Sequence, residues 1–120
     1  GACSKTTEWN GKYLMSNNYE YSKILLRWSQ EIKAQFIYAS SASVYGLGKN
    51  GFKERKECEN PINPYAFSKF MFDQYIRKIL KNKNQDNQNQ IVSLRYFNVY
   101  GPRENHKDNM VCRCVYVDQC

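Results

Sequence analysis

The chain has 120 residues, of which 42% are hydrophobic and 15% aromatic, and a formal net charge of +7. Its 10 Tyr, 6 Phe and 2 Trp supply enough apolar surface for a core, and only 3 Pro and 6 Gly exclude a collagen-like or low-complexity chain. Residues 1–60 carry 9 basic and 6 acidic groups and residues 61–120 carry 9 and 5, so the charge lacks the single basic stripe of a nucleic-acid binder.

Residues 7–32 read as a long helix. Tyr21, Ile24, Leu25, Trp28 and Ile32 fall on one face at a 3.6-residue period, which makes that face the expected core side, with Asn17 one turn earlier. Thr6 or Thr7 with Glu8 offers an N-terminus. Gln35–Ser40 is short, aromatic and β-branched, and reads as a strand covered on both faces. Residues 46–62 are loop, with Gly46, Gly48, Gly51 and Pro61. Asn63-Pro64-Tyr65 opens a second helix, with Asn63 as cap and Tyr65, Lys69, Phe72, Ile76 and Ile79 as its stripe; it stops near Leu80. The amide-rich segment 81–90 is a surface loop, and Ile91–Tyr96 is a second buried strand. Helix, strand, helix, strand in alternation implies a parallel α/β sheet with right-handed crossovers. Ligands of such sheets bind beyond the carboxyl ends of strands, here Ser40–Gly46 and Phe97–Arg103.

No apolar run approaches the ~18 residues that a membrane-spanning helix needs, so no membrane partner is expected. The opening GACSKTTEW has no apolar signal-peptide segment, and the first residue is Gly rather than Met. The chain therefore reads as a piece of something longer, or a processed product. Five cysteines with no secretory segment point to a reducing, cytoplasmic compartment. Cys112 and Cys114 have no second Cys/His pair at zinc spacing, and no metal is expected.

Chemistry is carried by Tyr65-x-x-x-Lys69. Four residues make about one helical turn, so both side chains leave one face. A phenol of pKa ~10 is too weak an acid to act as a base at neutral pH unless a cation favours its phenolate. Tyr–Lys at this spacing can build a phenolic acid/base group, and Ser41, past the strand end, is placed to bind the reacting oxygen. Tyr19/Lys23 and Tyr45/Lys49 share the spacing, so the motif alone also fits a surface pair with a snorkelling lysine. Tyr65/Lys69 differs in that its lysine interrupts an apolar stripe. His106 with Lys107 supplies a second proton carrier or an exposed pair. Asn98 binds ligand or makes a turn. Gly1-Ala2-Cys3-Ser4 brings backbone near a ligand or frays.

Three segments taken together, Phe36–Gly46 (FIYASSASVYG), Asn63–Lys69 (NPYAFSK) and Leu94–Arg103 (LRYFNVYGPR), resemble the extended short-chain dehydrogenase/reductases. These use NAD(P) on nucleotide sugars. Gly1–Trp9 and Phe97–Lys107 are similar to the members that epimerise an ADP-linked heptose, and the resemblance runs almost continuously over residues 1–110. It implies a partial doubly wound, Rossmann-like parallel sheet, lacking the first strands and the substrate domain. It also implies Tyr65 as acid/base, Lys69 as its partner on the nicotinamide ribose, Ser41 as the polarising hydroxyl and Lys107 as a second proton acceptor. Gly1, Ala2, Cys3, Ser4, Asn17 and Val99 would contact the cofactor, and Asn98 and Ser41 the substrate. The cofactor would be NADP, with NAD the alternative. The reaction would oxidise C6″ of an ADP-heptose and return hydride to the other face, in a homo-oligomeric parent. Another nucleotide-sugar epimerase or dehydratase, or a truncated non-catalytic remnant, are the alternative readings.

Departures from the family are specific. Nothing matches G-x-x-G-x-x-G, since Gly46-x-Gly48-x-x-Gly51 leads into a charged loop rather than a helix that cradles pyrophosphate. The family serine two residues after the second proton acceptor is Asn109 here. Residues 1–110 are expected to be the C-terminal part of the nucleotide-binding domain. Residues 111–120, rich in cysteine, are expected to be a divergent or frameshifted tail, and the 120 residues alone to be inactive.

Overall fold

The computed structural model describes residues 2–82 and 89–99. Asn10 opens the first helix: its side chain accepts from the Tyr13 amide at 3.0 Å, and its own amide donates to Glu8 Oε1 at 2.9 Å. The cap is therefore Asn10, and Thr6 and Thr7 form a turn ahead of it. This helix, α1, runs without a break through an α-helical turn Gly11–Leu14, a π-helical segment Met15–Glu20 and an α-helical segment Tyr21–Glu31.

The apolar stripe of α1 does not face the core, contrary to the periodicity. Tyr21, Ile24, Trp28 and Ile32 are exposed, Trp28 by 59%, while Leu14, Asn18, Leu26 and Ser29 are buried. Packing against the second helix selects this other face. The wider π-helical turn also shifts the phase of residues on either side of it, which a uniform 3.6-residue count misses.

Strand β1 (Phe36–Ser41) and strand β2 (Ile91–Tyr96) pair in parallel, with Phe36 opposite Ile91 and Ser41 opposite Tyr96. Between them lie a 3-10 turn, Ala42–Tyr45, a second short one, Lys56–Cys58, and helix α2 (Pro64–Asn82). Asn63 Oδ1 caps α2 by accepting from the Ala66 amide at 2.7 Å. The chain order and strand direction are those expected.

Both helices pack on one face of the sheet. Leu26, Phe72 and Ile76 form the buried cluster, surrounded by Tyr19, Phe36, Tyr38, Tyr75, Ile79 and Ile91. Phe36, Tyr38 and Ser40 point towards α2, and Ile37, Ala39, Leu94 and Tyr96 on the opposite face are exposed. Among the described residues β1 is thus covered on one face, not two.

The loop after β1 is closed by a hydrogen bond from the Asn60 amide to the Val44 carbonyl at 2.8 Å. Gly46 turns there with φ +60°, and a Cβ at that position would lie 2.1 Å from the Asn60 carbonyl oxygen. Below it, Glu59 is ion-paired to both Arg77 of α2 and Arg95 of β2, its side chain only 2% exposed. Burial favours the protonated acid, but the two guanidiniums outweigh it and hold the Glu59 carboxyl below its usual range.

Candidate active site

Parallel pairing places the carboxyl ends of β1 and β2 at one edge, so Ser41 and the segment Phe97–Val99 emerge side by side. Ser41 is buried. Its Oγ accepts from the Ser43 amide at 3.2 Å, capping the 3-10 turn, and donates to Ser43 Oγ at 3.1 Å. The capped start of α2 swings Tyr65, in the first helical turn, over this edge. Tyr65 is 7% exposed, and the Ser41 side chain is near enough to act on its hydroxyl, favouring the phenolate.

Burial pushes the Tyr65 phenol above its ordinary value, the Ser41 side chain pulls it back, and Cys3 pushes it up again. Sequence reasoning expected Lys69 to lower this phenol. Instead the Lys69 ammonium donates to the Ala39 carbonyl of β1 at 3.0 Å, and desolvation is the larger influence on the tyrosine. Lys69 itself is pulled below the usual lysine range by burial, with Asp73 and Cys3 opposing. An ammonium has donors beyond the one given to a strand carbonyl, and a shielded phenol one turn away can exchange a proton, so the arrangement has the chemistry to hold a hydroxylated ligand.

The N-terminal segment enters the same region. The Cys3 amide donates to Asn18 Oδ1 at 2.7 Å. Ala2, Cys3 and Ser4, with Lys5, Glu8, Asn10 and Tyr13, line an open cleft of about 550 Å³. Ser41, Tyr65 and Lys69 do not line it; Cys3 connects the two, since it acts electrostatically on both Tyr65 and Lys69.

Asn17, the expected cofactor contact, spends its amide on its own helix, donating to the Tyr13 carbonyl at 2.9 Å. Its neighbour Asn18 is the buried one. Asn18 Nδ2 donates to Ser68 Oγ at 3.0 Å, and Ser68 Oγ donates to the Tyr65 carbonyl at 2.7 Å. Sequence reasoning passed over Asn18 and Ser68. The available signal was a polar pair inside a helical run, where asparagine is disfavoured without a specific partner.

Asn98 and Val99 are exposed at the sheet edge. Phe97 anchors them: its ring lies 5.6 Å from that of Phe52 and is stacked 6.5 Å from that of Tyr45, over which the Arg95 guanidinium sits at 5.0 Å. Gly1, His106, Lys107, Asn109 and the 111–120 segment lie outside the described residues.

The profile of the NAD dependent epimerase/dehydratase family matches residues 2–116. The chain belongs to this family. The family is a nicotinamide-dependent one. The fold is also similar to the crystal structure of an ADP-L-glycero-D-manno-heptose-6-epimerase from Helicobacter pylori, with TM-score 0.73 and 40% sequence identity. That likeness covers 91% of this chain and 33% of the other, so the chain spans about a third of the relative's length. The expected partial Rossmann-like fold is therefore present as a two-stranded parallel sheet carrying two helices. No helix among the described residues is long and apolar enough to cross a membrane.

Proposed function

We propose that this chain carries the acid/base centre of a nucleotide-sugar epimerase that inverts C6″ of an ADP-linked glycero-manno-heptose with NADP. The observation that carries the reading is the buried Tyr65 near the buried Ser41, one turn from a half-buried Lys69 bound to the Ala39 carbonyl, at the carboxyl edge of a parallel sheet. Likeness to a heptose epimerase at 40% identity supports the choice of substrate.

The residues fit a nicotinamide dinucleotide by their donor chemistry. Lys69 offers an ammonium to ribose hydroxyls, and Ala2, Ser4 and Val99 are exposed and Cys3 half-exposed. When bound, that cofactor supplies the hydride exchange. This chain's own residues do the rest. Ser41 Oγ orients the sugar oxygen, and Tyr65 Oη takes its proton as that hydroxyl is oxidised. Lys69 holds the ribose side of the site, and Asn98 binds the sugar nucleotide. Lys107 would serve the opposite face of the sugar, because inversion presents the hydroxyl from the other side.

The 120 residues alone are expected to turn over no substrate. The glycines 46, 48 and 51 form a turn rather than a phosphate cradle, and Gly46 packs against Asn60.

The test uses a complete family framework carrying residues 1–99, the H. pylori epimerase with its matching part replaced. Incubated with ADP-D-glycero-D-manno-heptose, it should give the L-glycero epimer by proton NMR, with NADP bound in preference to NAD. No epimerisation by the framework carrying this chain's own segments, with the H. pylori parent active, overturns the reading.

A further inference from the structure

Asp73 stands one helical turn after Lys69 and two after Tyr65 on α2. Its side chain is 4% exposed, and both carboxylate oxygens are committed. Oδ1 accepts from the Tyr38 hydroxyl at 2.8 Å. Oδ2 accepts from the Ser40 hydroxyl at 2.8 Å and from Arg95 Nη2 at 3.2 Å. Tyr38 and Ser40 share the helix-facing side of β1, and Ser40 is the register partner of Arg95 on β2.

One carboxylate therefore ties α2 to both strands at the level just before Ser41. Packing does not require it there. Phe72 and Ile76 already fill the apolar contact, and a buried carboxylate costs stability unless fully partnered. Apolar packing tolerates sliding, but three directed hydrogen bonds do not. A one-residue slip of the helix, ~1.5 Å of rise with a rotation, would break all of them. Displacement of that size at a reacting group costs about 10²-fold in rate.

We infer that Asp73 is a positioning residue: its carboxylate sets the register of α2 at which Tyr65 meets Ser41, and its charge keeps the Lys69 ammonium in the site. This rests on the acid/base reading above. Lys69 is faced by Asp73 of its own helix, by the Ala39 carbonyl of β1 and by Cys3 of the N-terminal segment, with Tyr65 one turn away. Of these, Asp73 is the larger support for its positive charge against burial.

The experiment separates register from charge in the complete framework. Lys69 is titrated by ¹³Cε NMR of labelled lysine, assigned through Lys69→Arg, and kcat and KM are measured beside it. Asp73→Asn should lower the Lys69 midpoint by about one pH unit or more. It should also cut kcat by about tenfold or more, with KM for the sugar nucleotide within about threefold. The double variant Tyr38→Phe, Ser40→Ala keeps the charge and removes the strand bonds; it should lower kcat with the Lys69 midpoint unmoved. If Asp73→Asn does not fold, Asp73→Glu takes its place and should keep the midpoint while losing kcat. A Lys69 midpoint unchanged by Asp73→Asn, or kcat unchanged in the double variant, overturns the inference. The titration needs no turnover. An inactive framework would therefore sink the epimerase reading and leave the charge arm to decide this one.

Discussion

The Asn18 carboxamide and the Ser68 hydroxyl meet at 3.0 Å, fifty positions apart in the chain. Through this bond α1 grips the first turns of α2, and through its other end Asn18 holds the Cys3 amide at 2.7 Å. The segment lining the cleft and the helix bearing Tyr65 are thus fastened to one fully buried side chain.

Replacing that side chain should loosen both. Asn18→Ala leaves the Cys3 amide and the Ser68 hydroxyl without their partner, a loss of about 1–3 kcal/mol. Asn17→Ala removes only an exposed bond within the helix and should stay within about 0.5 kcal/mol. Denaturant melts of the two variants make the comparison. Equal losses would show that Asn18 has no special structural place.

Tyr65→Phe keeps the ring and removes the proton carrier. In the complete framework it should lower turnover by about 10²–10⁴-fold while cofactor still binds. Ser41→Ala removes the side chain that favours the phenolate, so the tyrosine should titrate higher still. Any limb of the rate–pH profile that reports its ionisation should move towards alkaline pH. Steady-state rates across pH, with cofactor binding followed separately, check both.

Glu59 predicts an acid-sensitive fold. Its carboxyl is held below the ordinary value of 4.5 by Arg77 and Arg95. A group depressed in the folded state adds stability above its unfolded pKa and loses it as pH falls through the folded one. Stability should therefore hold near neutrality and decline below about pH 4.5. Glu59→Gln should flatten that decline and, by leaving Arg77 without its anion and Arg95 with Asp73 alone, cost about 3–5 kcal/mol at pH 7. Unfolding free energy measured from pH 7 to pH 3 for parent and variant decides it.

Gly46→Ala should destabilise the loop after β1. The added Cβ meets the Asn60 carbonyl at 2.1 Å, and the positive φ is itself unfavourable for alanine, together more than about 1–3 kcal/mol. Gly51→Ala, with φ +85° but open space around it, carries the backbone cost without the collision and should lose less. Thermal melts of the two variants rank them.

Order and kind of the elements were legible from the chain because period and punctuation are local properties. Asn63 capping α2, Ile91–Tyr96 as a strand and parallel pairing across a helical crossover all follow from neighbouring residues and handedness. The Tyr65–Lys69 spacing and the serine that ends β1 likewise stand in the sequence. Which face of α1 turns inward does not: the Tyr21–Trp28 stripe is as periodic as a core face, yet Leu26 and Asn18 were taken by the packing against α2 and the π-helical turn. Burial decided the electrostatics too. Spacing suggests that Lys69 acidifies Tyr65, but desolvation depends on what the fold stacks over a group, and it raised the phenol and turned the ammonium to Ala39. The carboxylate ties of Asp73 and Glu59 span 33 and 36 residues to β1 and β2, and contacts of that reach exist only once the chain has closed.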